Sequence, residues 1–409
     1  AGQTGRPYLT DRGRRPALKK LECWTASRST QDGNPVWFPL MSECLKPVKR
    51  RFPVRVGLPG SRSPCREVCP QEQANPIQKG AKAWSWGGRL TINGTVYQEL
   101  LSYLNQEGGL GELISPARLR AVLGKHHLSL RKKLGQNFLV DGNIVRKIVA
   151  AGNLTPEDVV VEIGPGAGML TAAVAAAAGR VVAVELDRAL LPVLAETLAG
   201  YDNVLVVQGD ALEVDFDRLV EEAVGAPVRE YKVMANLPYY ITTPLIMRLL
   251  RGGFHITEMV LMVQLEVAAR MAARPGTGDY GALSVAVQYY GRPEVLFRVP
   301  RTVFFPAPGV DSAVVRLIRR GKPAVTVEDE DLFFTLVRGA FGQRRKTLAN
   351  ALAGAKVMPG WTRAAWEELI RAAGIDPRCR GETLGMQEFA SLARAVSIRK
   401  NGGQPDLFT

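Results

Sequence analysis

The chain is poor in the side chains on which metal sites most often rely. Its 409 residues include three histidines, at 126, 127 and 255, and five cysteines. Cys23, Cys44, Cys65 and Cys69 lie near the start, and only Cys65-x3-Cys69 is closely spaced. A zinc knuckle needs paired short spacings, so no metal is expected. Nothing marks the chain for an oxidising compartment, so a disulfide framework is not expected either. There is no run of about eighteen uninterrupted apolar residues, and no basic start leading into an apolar core. The expectation is a soluble, cytoplasmic chain with no membrane partner. The Ala-rich stretch from Thr171 to Ala178 is broken by Gly179-Arg180 and reads as helix then strand. No internal repeat is present.

Charge is also scarcer than the total suggests. The net charge is +14, yet residues 1–90 hold 17 Lys+Arg against 6 Asp+Glu, and the other 319 residues hold 36 against 33. Most of the chain is nearly balanced, so the total is a poor argument for a polyanionic partner. Local clusters are better candidates for phosphate contact: Arg131-Lys132-Lys133, Arg316 with Arg319-Arg320 and Lys322, and Arg344-Arg345-Lys346. Each has the alternative reading of a solvated face.

What the chain does have is a succession of strand ends that carry chemistry. Tyr231-Lys232-Val233-Met234-Ala235 reads as a buried strand running into Asn236-Leu237-Pro238-Tyr239. There the Asn oxygen and the next backbone carbonyl are able to accept both protons of an exocyclic amine. The proline fixes the turn and the Tyr ring offers a stacking face for a planar base. An Asn-Pro turn alone is common as plain structure. Upstream, the β-branched run Val159–Ile163 contains Glu162 and leads to Gly164-Pro165-Gly166-Ala167-Gly168. Glycines let the backbone turn sharply and approach a ligand closely. A dinucleotide site would space them G-x-G-x-x-G. The spacing G-x-G-x-G, with an acid two residues before it, fits S-adenosylmethionine (SAM) better, because its amino-acid end carries an ammonium as well as a carboxylate.

Two further strands extend the pattern. Arg180–Glu185 ends in an acid suited to both ribose hydroxyls. Asn203–Gln208 leads to Gly209-Asp210-Ala211, where Asp210 could take the cofactor's adenine amine. Each feature alone has a bland alternative, as a turn or a solvated cap. Four in this order place a cofactor and a planar substrate at the carboxyl edge of one parallel sheet.

At this point the sequence resembles the KsgA-type (RsmA) ribosomal RNA adenine dimethyltransferases, cousins of the Erm methylases. The resemblance rests on Lys132–Leu139, the Gly164 loop, Glu185, Gly209-Asp210-Ala211 and Asn236–Pro244. It continues through Gln264–Arg270, Tyr280–Val285, Pro306–Ala313 and Ala340–Leu348, and covers roughly 113–398. It implies SAM contacts from Asn137, Leu139, Gly164, Glu185, Asp210 and Asn236, and a catalytic turn made of Asn236, Leu237, Pro238 and Tyr239. It implies dimethylation of two adjacent adenosines in a hairpin loop near the 3′ end of 16S (small-subunit) rRNA, within the subunit or its precursor. A role in ribosome biogenesis and a monomeric state are part of the same expectation. Leu237 and the following Ile-Thr-Thr-Pro-Leu favour this branch over Erm-like 23S rRNA methylation. A non-catalytic assembly factor is the other alternative. The chain departs from the pattern at Leu265, where Lys is common, and at Gly309, where a basic residue often sits. Each departure trims an expected RNA contact.

The expected fold is α/β: a doubly wound, Rossmann-like SAM-dependent methyltransferase sheet over 112–321, then a small helical, RNA-contacting domain over 322–409. The junction is placed at Gly321-Lys322-Pro323. Beyond Val325, helical spacing covers 331–341, 345–355, 363–373 and 386–398. Residues 1–111 are rich in Pro, Gly, Ser and Arg and lack periodicity, so they read as a low-complexity, disordered basic extension. The expectation is that they play no part in methylation, with a basic RNA-binding tail as the functional alternative.

Overall fold

The computed structural model describes residues 22–31, 34–39, 116–128, 136–227 and 230–402. Its centre is a sheet in which the apolar strands bury both faces. β4 (Val159–Ile163) sends Val160 into one core cluster and Val161 and Ile163 into the other. β5 (Arg180–Glu185) repeats this with Val181 and Ala183 against Val182 and Val184. Successive side chains of a strand point to opposite faces. A run of valines therefore needs helices on both sides, which a parallel, doubly wound sheet provides.

The chain order is β1 (Glu22–Gln31), β2 (Asn34–Pro39), β3 (Phe138–Leu139), β4, β5, β6 (Val204–Gln208), β7 (Tyr231–Asn236), β8 (Ile256–Gln264), β9 (Gly291–Val299), β10 (Phe304–Phe305) and β11 (Ser312–Arg319). In space the large sheet runs β2-β1-β6-β5-β4-β7-β8-β11-β9. Strands β6, β5, β4, β7 and β8 are parallel, and β11 is antiparallel to both β8 and β9. The order reverses between β4 and β7, the place where open α/β sheets leave a crevice beyond their carboxyl ends.

One face is covered by helices Phe216–Val224, Thr242–Arg251 and Leu265–Ala272, through Phe216, Leu219, Leu245, Leu249, Ala268 and Met271. The other is covered by Gly142–Ala151, Met169–Ala175 and Leu191–Thr197. The Gly142 helix starts cleanly because the Asp141 side chain accepts from the amides of Asn143 and Ile144, satisfying two orphan donors. β3 and β10 pair with each other as a separate two-stranded ribbon.

The four expected late helices are Glu330–Gly342, Leu348–Gly354, Arg363–Ala372 and Met386–Lys400. The second starts three residues later than its spacing suggested. Thr347 is extended, and the Leu348 amide is drawn to the Cys379 carbonyl at 2.7 Å instead. Phe333, Leu336, Trp366, Leu369, Phe389 and Val396 build the core of this helical region, joined by Tyr280 and Tyr289 from the preceding segment. Gly321-Lys322-Pro323 falls between β11 and the first of these helices.

Within residues 1–111 no periodicity points to a strand, yet β1 and β2 form an antiparallel pair. β1 also pairs with the edge of β6, from Glu22 opposite Gln208 to Trp24 opposite Val206. Edge pairing is made by backbone groups and needs no side-chain period. The two residues between the strands in sequence, Asp32-Gly33, are a pair favoured in two-residue hairpin connections. The remainder of the expected extension lies outside the described residues. Among the described residues no helix is long and apolar enough to cross a membrane, and no group of three or more His, Cys, Asp or Glu side chains is placed to hold a metal. Cys44, Cys65 and Cys69 lie outside them.

Candidate active site

Beyond the carboxyl ends of β4, β5, β6 and β7 lies one cleft with about 1070 Å³ of empty space, open mouth included. Every residue assigned from the sequence to the cofactor or to the catalytic turn lines it: Asn137, Leu139, Gly164, Glu185, Asp210, Asn236, Leu237, Pro238 and Tyr239. The register explains the convergence. Glu162 stands beside Ala183 and Met234, and Glu185 beside Gln208, so neighbouring parallel strands deliver their last residues to one edge.

The glycine loop follows β4 with Gly164, Gly166 and Gly168 at φ of 72, 60 and 87°, a region that side chains with a Cβ disfavour. Space is limited as well. A Cβ on Gly166 would meet the Phe138 ring at 3.1 Å, and one on Gly164 would face the Asn236 carbonyl at 3.9 Å.

Glu185 is buried, and its carboxylate already accepts from the amides of Gly166 at 3.2 Å and Asp187 at 2.8 Å, one on each oxygen. A carboxylate offers roughly four acceptor sites, so these two amides leave it capacity to accept from a ligand. Burial pushes this carboxyl up to about 7, against the pull of those two amides. Asp210 lines the cleft and spends Oδ1 on the Leu212 amide at 2.8 Å, which leaves Oδ2 available to accept.

Glu162 is the least expected group. It is fully buried, and its Oε2 has no hydrogen-bond partner among the described residues. Burial pushes its carboxyl up to about 8 and the Glu185 charge adds to this, while the nearby Thr171 hydroxyl opposes it without closing a bond of good geometry. The sequence marked Glu162 only as the acid before the glycines. Its burial depends on tertiary packing that spacing does not report.

At the turn after β7, the Asn236 amide nitrogen donates to the Asn137 carbonyl at 3.2 Å. That contact orients the amide and leaves Oδ1 as its acceptor end. The Pro238 carbonyl is taken by the Ile241 amide at 3.2 Å and the Thr242 hydroxyl at 3.0 Å. No described hydrogen bond uses the Leu237 carbonyl. The Leu237 amide donates to the Met262 carbonyl at 3.1 Å, so the turn is pinned to β8. Tyr239 lines the cleft and its hydroxyl meets Ser312 Oγ at 2.7 Å. Gln136, Phe138, Leu186 and Tyr240 also line the cleft, and Gln136 donates to Asp187 at 2.9 Å. Sequence reasoning had not assigned them. For Leu186 and Tyr240 the available signal was position, each directly following an assigned residue.

The basic clusters divide. Arg316 is held by Glu258 at 2.6 Å. Arg319 donates to the carbonyls of Phe254 and Leu250, and Arg320 to those of Gln288 and Gly291. Arg344 donates to the carbonyls of Gly278 at 2.7 Å and Tyr280 at 2.9 Å. These four close the protein's own backbone and surface pairs. Lys322, Arg345 and Lys346 remain exposed, and Arg131-Lys132-Lys133 lie outside the described residues.

Comparison with known proteins agrees with this geometry. The family model for ribosomal RNA adenine dimethylase matches residues 127–370. A ribosomal RNA small subunit methyltransferase A from Pelotomaculum thermopropionicum is 60% identical over 294 residues, 71% of this chain and 98% of that protein. The protein of the same name from Moorella thermoacetica is 57% identical, over 70% of this chain and 99% of its own length. A crystal structure of a dimethyladenosine transferase from Plasmodium falciparum matches at 27% identity with a TM-score of 0.52, covering 65% of this chain and 98% of that one. By the family match and by relatives covered almost end to end, the chain belongs to the ribosomal RNA adenine dimethylases, which take their methyl groups from S-adenosyl-L-methionine.

Proposed function

We propose that the chain dimethylates the exocyclic amines of two adjacent adenosines in a hairpin loop near the 3′ end of small-subunit rRNA. It acts as a monomer, in the cytoplasm, on the subunit or its precursor during ribosome biogenesis. The observation that carries the chemistry is the oriented Asn236 amide. Its nitrogen donates to Asn137, which leaves its oxygen to accept from a base in the cleft that Asn236 and Leu237 both line.

The cleft fits SAM on its own features: a glycine loop at positive φ, the unpartnered Glu162 oxygen, and acceptor sites left on Glu185 and Asp210. Glu185 would hold the ribose hydroxyls and Asp210 the adenine amine. Gly164, Asn137 and Leu139 would shape the space for the rest, and Glu162 would face the ammonium. When bound, SAM supplies a sulfonium methyl group open to displacement by a nitrogen lone pair.

An adenine amine is a weak nucleophile because its lone pair is delocalised into the ring. Asn236 Oδ1 and the Leu237 carbonyl accept hydrogen bonds from its two N–H groups, favour a pyramidal nitrogen and aim the lone pair; the methylated nitrogen then releases one N–H proton to water. Orientation of this kind is a large part of a barrier reduction, and acceptors facing the positive charge that develops on nitrogen add to it. Pro238 keeps the turn rigid and Tyr239 stacks on the base. No strong general base is needed. The target base must leave its stack, which costs least in a loop.

The test is methyl transfer from SAM to small ribosomal subunits lacking this modification, followed by nucleoside mass spectrometry. Dimethyladenosine at two adjacent positions is expected. Product on large-subunit RNA instead would select the Erm-like reading, and SAM binding with no product on either would select the assembly-factor role. We also propose that 112–321 and 322–409 are the working domains and that residues 1–111 take no part in methylation. The 60%-identical relative aligns with only 71% of the chain, which supports this. A chain shortened to begin at Glu112 is expected to methylate as the full chain does. An inactive or unfolded product would give the extension a role.

A further inference from the structure

The segment Gly309-Val310-Asp311-Ser312-Ala313 is prominent in the sequence but supplies no residue to the cleft. Its place in the structure gives it a task. Ser312 is the first residue of β11, fully buried, and its hydroxyl lies 2.7 Å from that of Tyr239, 73 residues away in sequence. Tyr239 itself lines the cleft, so its side chain spans from the cleft to the antiparallel side of the sheet. Burial raises the Tyr239 phenol, which therefore keeps its proton and remains able to donate.

Ser312 is in turn held firmly. It pairs with Gln264 of β8 and Val299 of β9. The preceding residue, Asp311, accepts from the Arg301 amide at 2.9 Å and from Arg298 Nε at 2.8 Å, and its carbonyl accepts from the Leu265 amide at 3.0 Å. A tyrosine on a turn has two freely rotating side-chain torsions. Fixing its hydroxyl on a clamped strand end removes that freedom and sets the ring plane before a base arrives. Preorganisation of this kind favours the productive geometry over the alternatives.

We propose that Ser312 is a positioning residue: through its hydroxyl contact it holds the Tyr239 ring in the plane that receives the target adenine. This rests on the reading of Tyr239 as the base-stacking residue. It assigns a purpose to the antiparallel strand β11, which the cofactor cleft does not require. The plain alternative is that two buried hydroxyls satisfy each other, as buried polar groups generally must, with no effect on RNA.

The experiment compares Ser312→Ala, Tyr239→Phe, their double variant and Tyr239→Ala in the full-length chain. Undermodified small ribosomal subunits serve as substrate, SAM affinity is measured by calorimetry and Tm by thermal unfolding. Tyr239→Ala is expected to lose turnover. Ser312→Ala and Tyr239→Phe are each expected to lower kcat/KM for the subunit roughly five- to tenfold, the scale of one neutral hydrogen bond. The double variant should fall no further, and SAM affinity should stay level in all of them. If Tyr239→Ala is inactive while both hydroxyl variants match the parent, the Ser312 role is overturned and base stacking stands. Additive losses, or a loss matched by weaker SAM binding, would also overturn it. If Tyr239→Ala keeps full turnover, the stacking reading itself fails, and the inference with it.

Discussion

Asn236→Ala is expected to lower kcat by about 10³-fold, the scale of removing one preorganised electrostatic partner from an active site, while SAM affinity stays within several-fold. The two effects separate because of how the residue is held. The amide sits at the carboxyl end of β7 with its nitrogen donating to Asn137, and in the proposed mechanism its oxygen is one of two acceptors for the target amine. Apart from Asn137, which it touches directly, the rest of the cofactor cleft is held without that side chain: the glycine loop keeps its own positive φ angles, and Glu185 is fixed by Gly166 and Asp187. Asn236→Asp should fall between the parent and alanine. It retains an oxygen acceptor but loses the NH2 group that fixes the orientation. Single-turnover methylation of subunits together with SAM calorimetry checks both expectations. Turnover of the alanine variant within tenfold of the parent would remove Asn236 from the chemistry.

Much of this site could be read from the sequence because parallel strands state their position plainly. Val159–Ile163 and Arg180–Glu185 are apolar on both faces, which only a fully covered sheet tolerates, and ligand-bearing residues then gather at the carboxyl edge. β8 was harder to see. Thr257 and Glu258 interrupt its start, and Glu258 is accommodated by Arg316 from β11, 58 residues away. The β1–β2 pair left no periodic trace because backbone groups make its contact with β6. In the site, contacts between distant segments escaped notice: Asn137 with Asn236, Tyr239 with Ser312, Gln136 with Asp187. The same limit hides the partners of several arginines. Arg319, Arg320 and Arg344 stand out in a charge count as candidates for phosphate contact, and each also donates to helix or loop carbonyls that no charge count reports. Charge runs give the sign of a surface and not the direction in which a guanidinium turns.

The second large effect is expected at Glu185, and it is visible as a pH dependence before any substitution. Burial raises this carboxyl from 4.5 to about 7. On the proposed ribose contact the hydroxyls donate to the ionised carboxylate, so SAM affinity should strengthen as pH rises through 7. With about a tenth of the group ionised at pH 6 and about nine-tenths at pH 8, the expected gain is close to tenfold. Stability of the unliganded protein should move in the opposite direction. The folded pKa lies above the unfolded one, so the fold binds the extra proton. This contribution is fully present below pH 4.5 and lost as pH rises through 7, on the order of 3 kcal/mol. Glu162, raised to about 8 by its own burial, adds a loss of the same sign that extends further into the alkaline range. Added SAM should therefore raise Tm more at pH 8 than at pH 6. Glu185→Gln keeps the shape of the side chain and removes the titration. It should bind SAM at least tenfold more weakly at pH 8 and reduce the pH dependence of affinity to the part that Glu162 contributes. Unfolding of its unliganded form should retain only the Glu162 slope. Calorimetry across pH 6–8 decides the matter: a parent protein whose SAM affinity is level over that range, or a Gln variant that binds as tightly, would take the ribose away from Glu185.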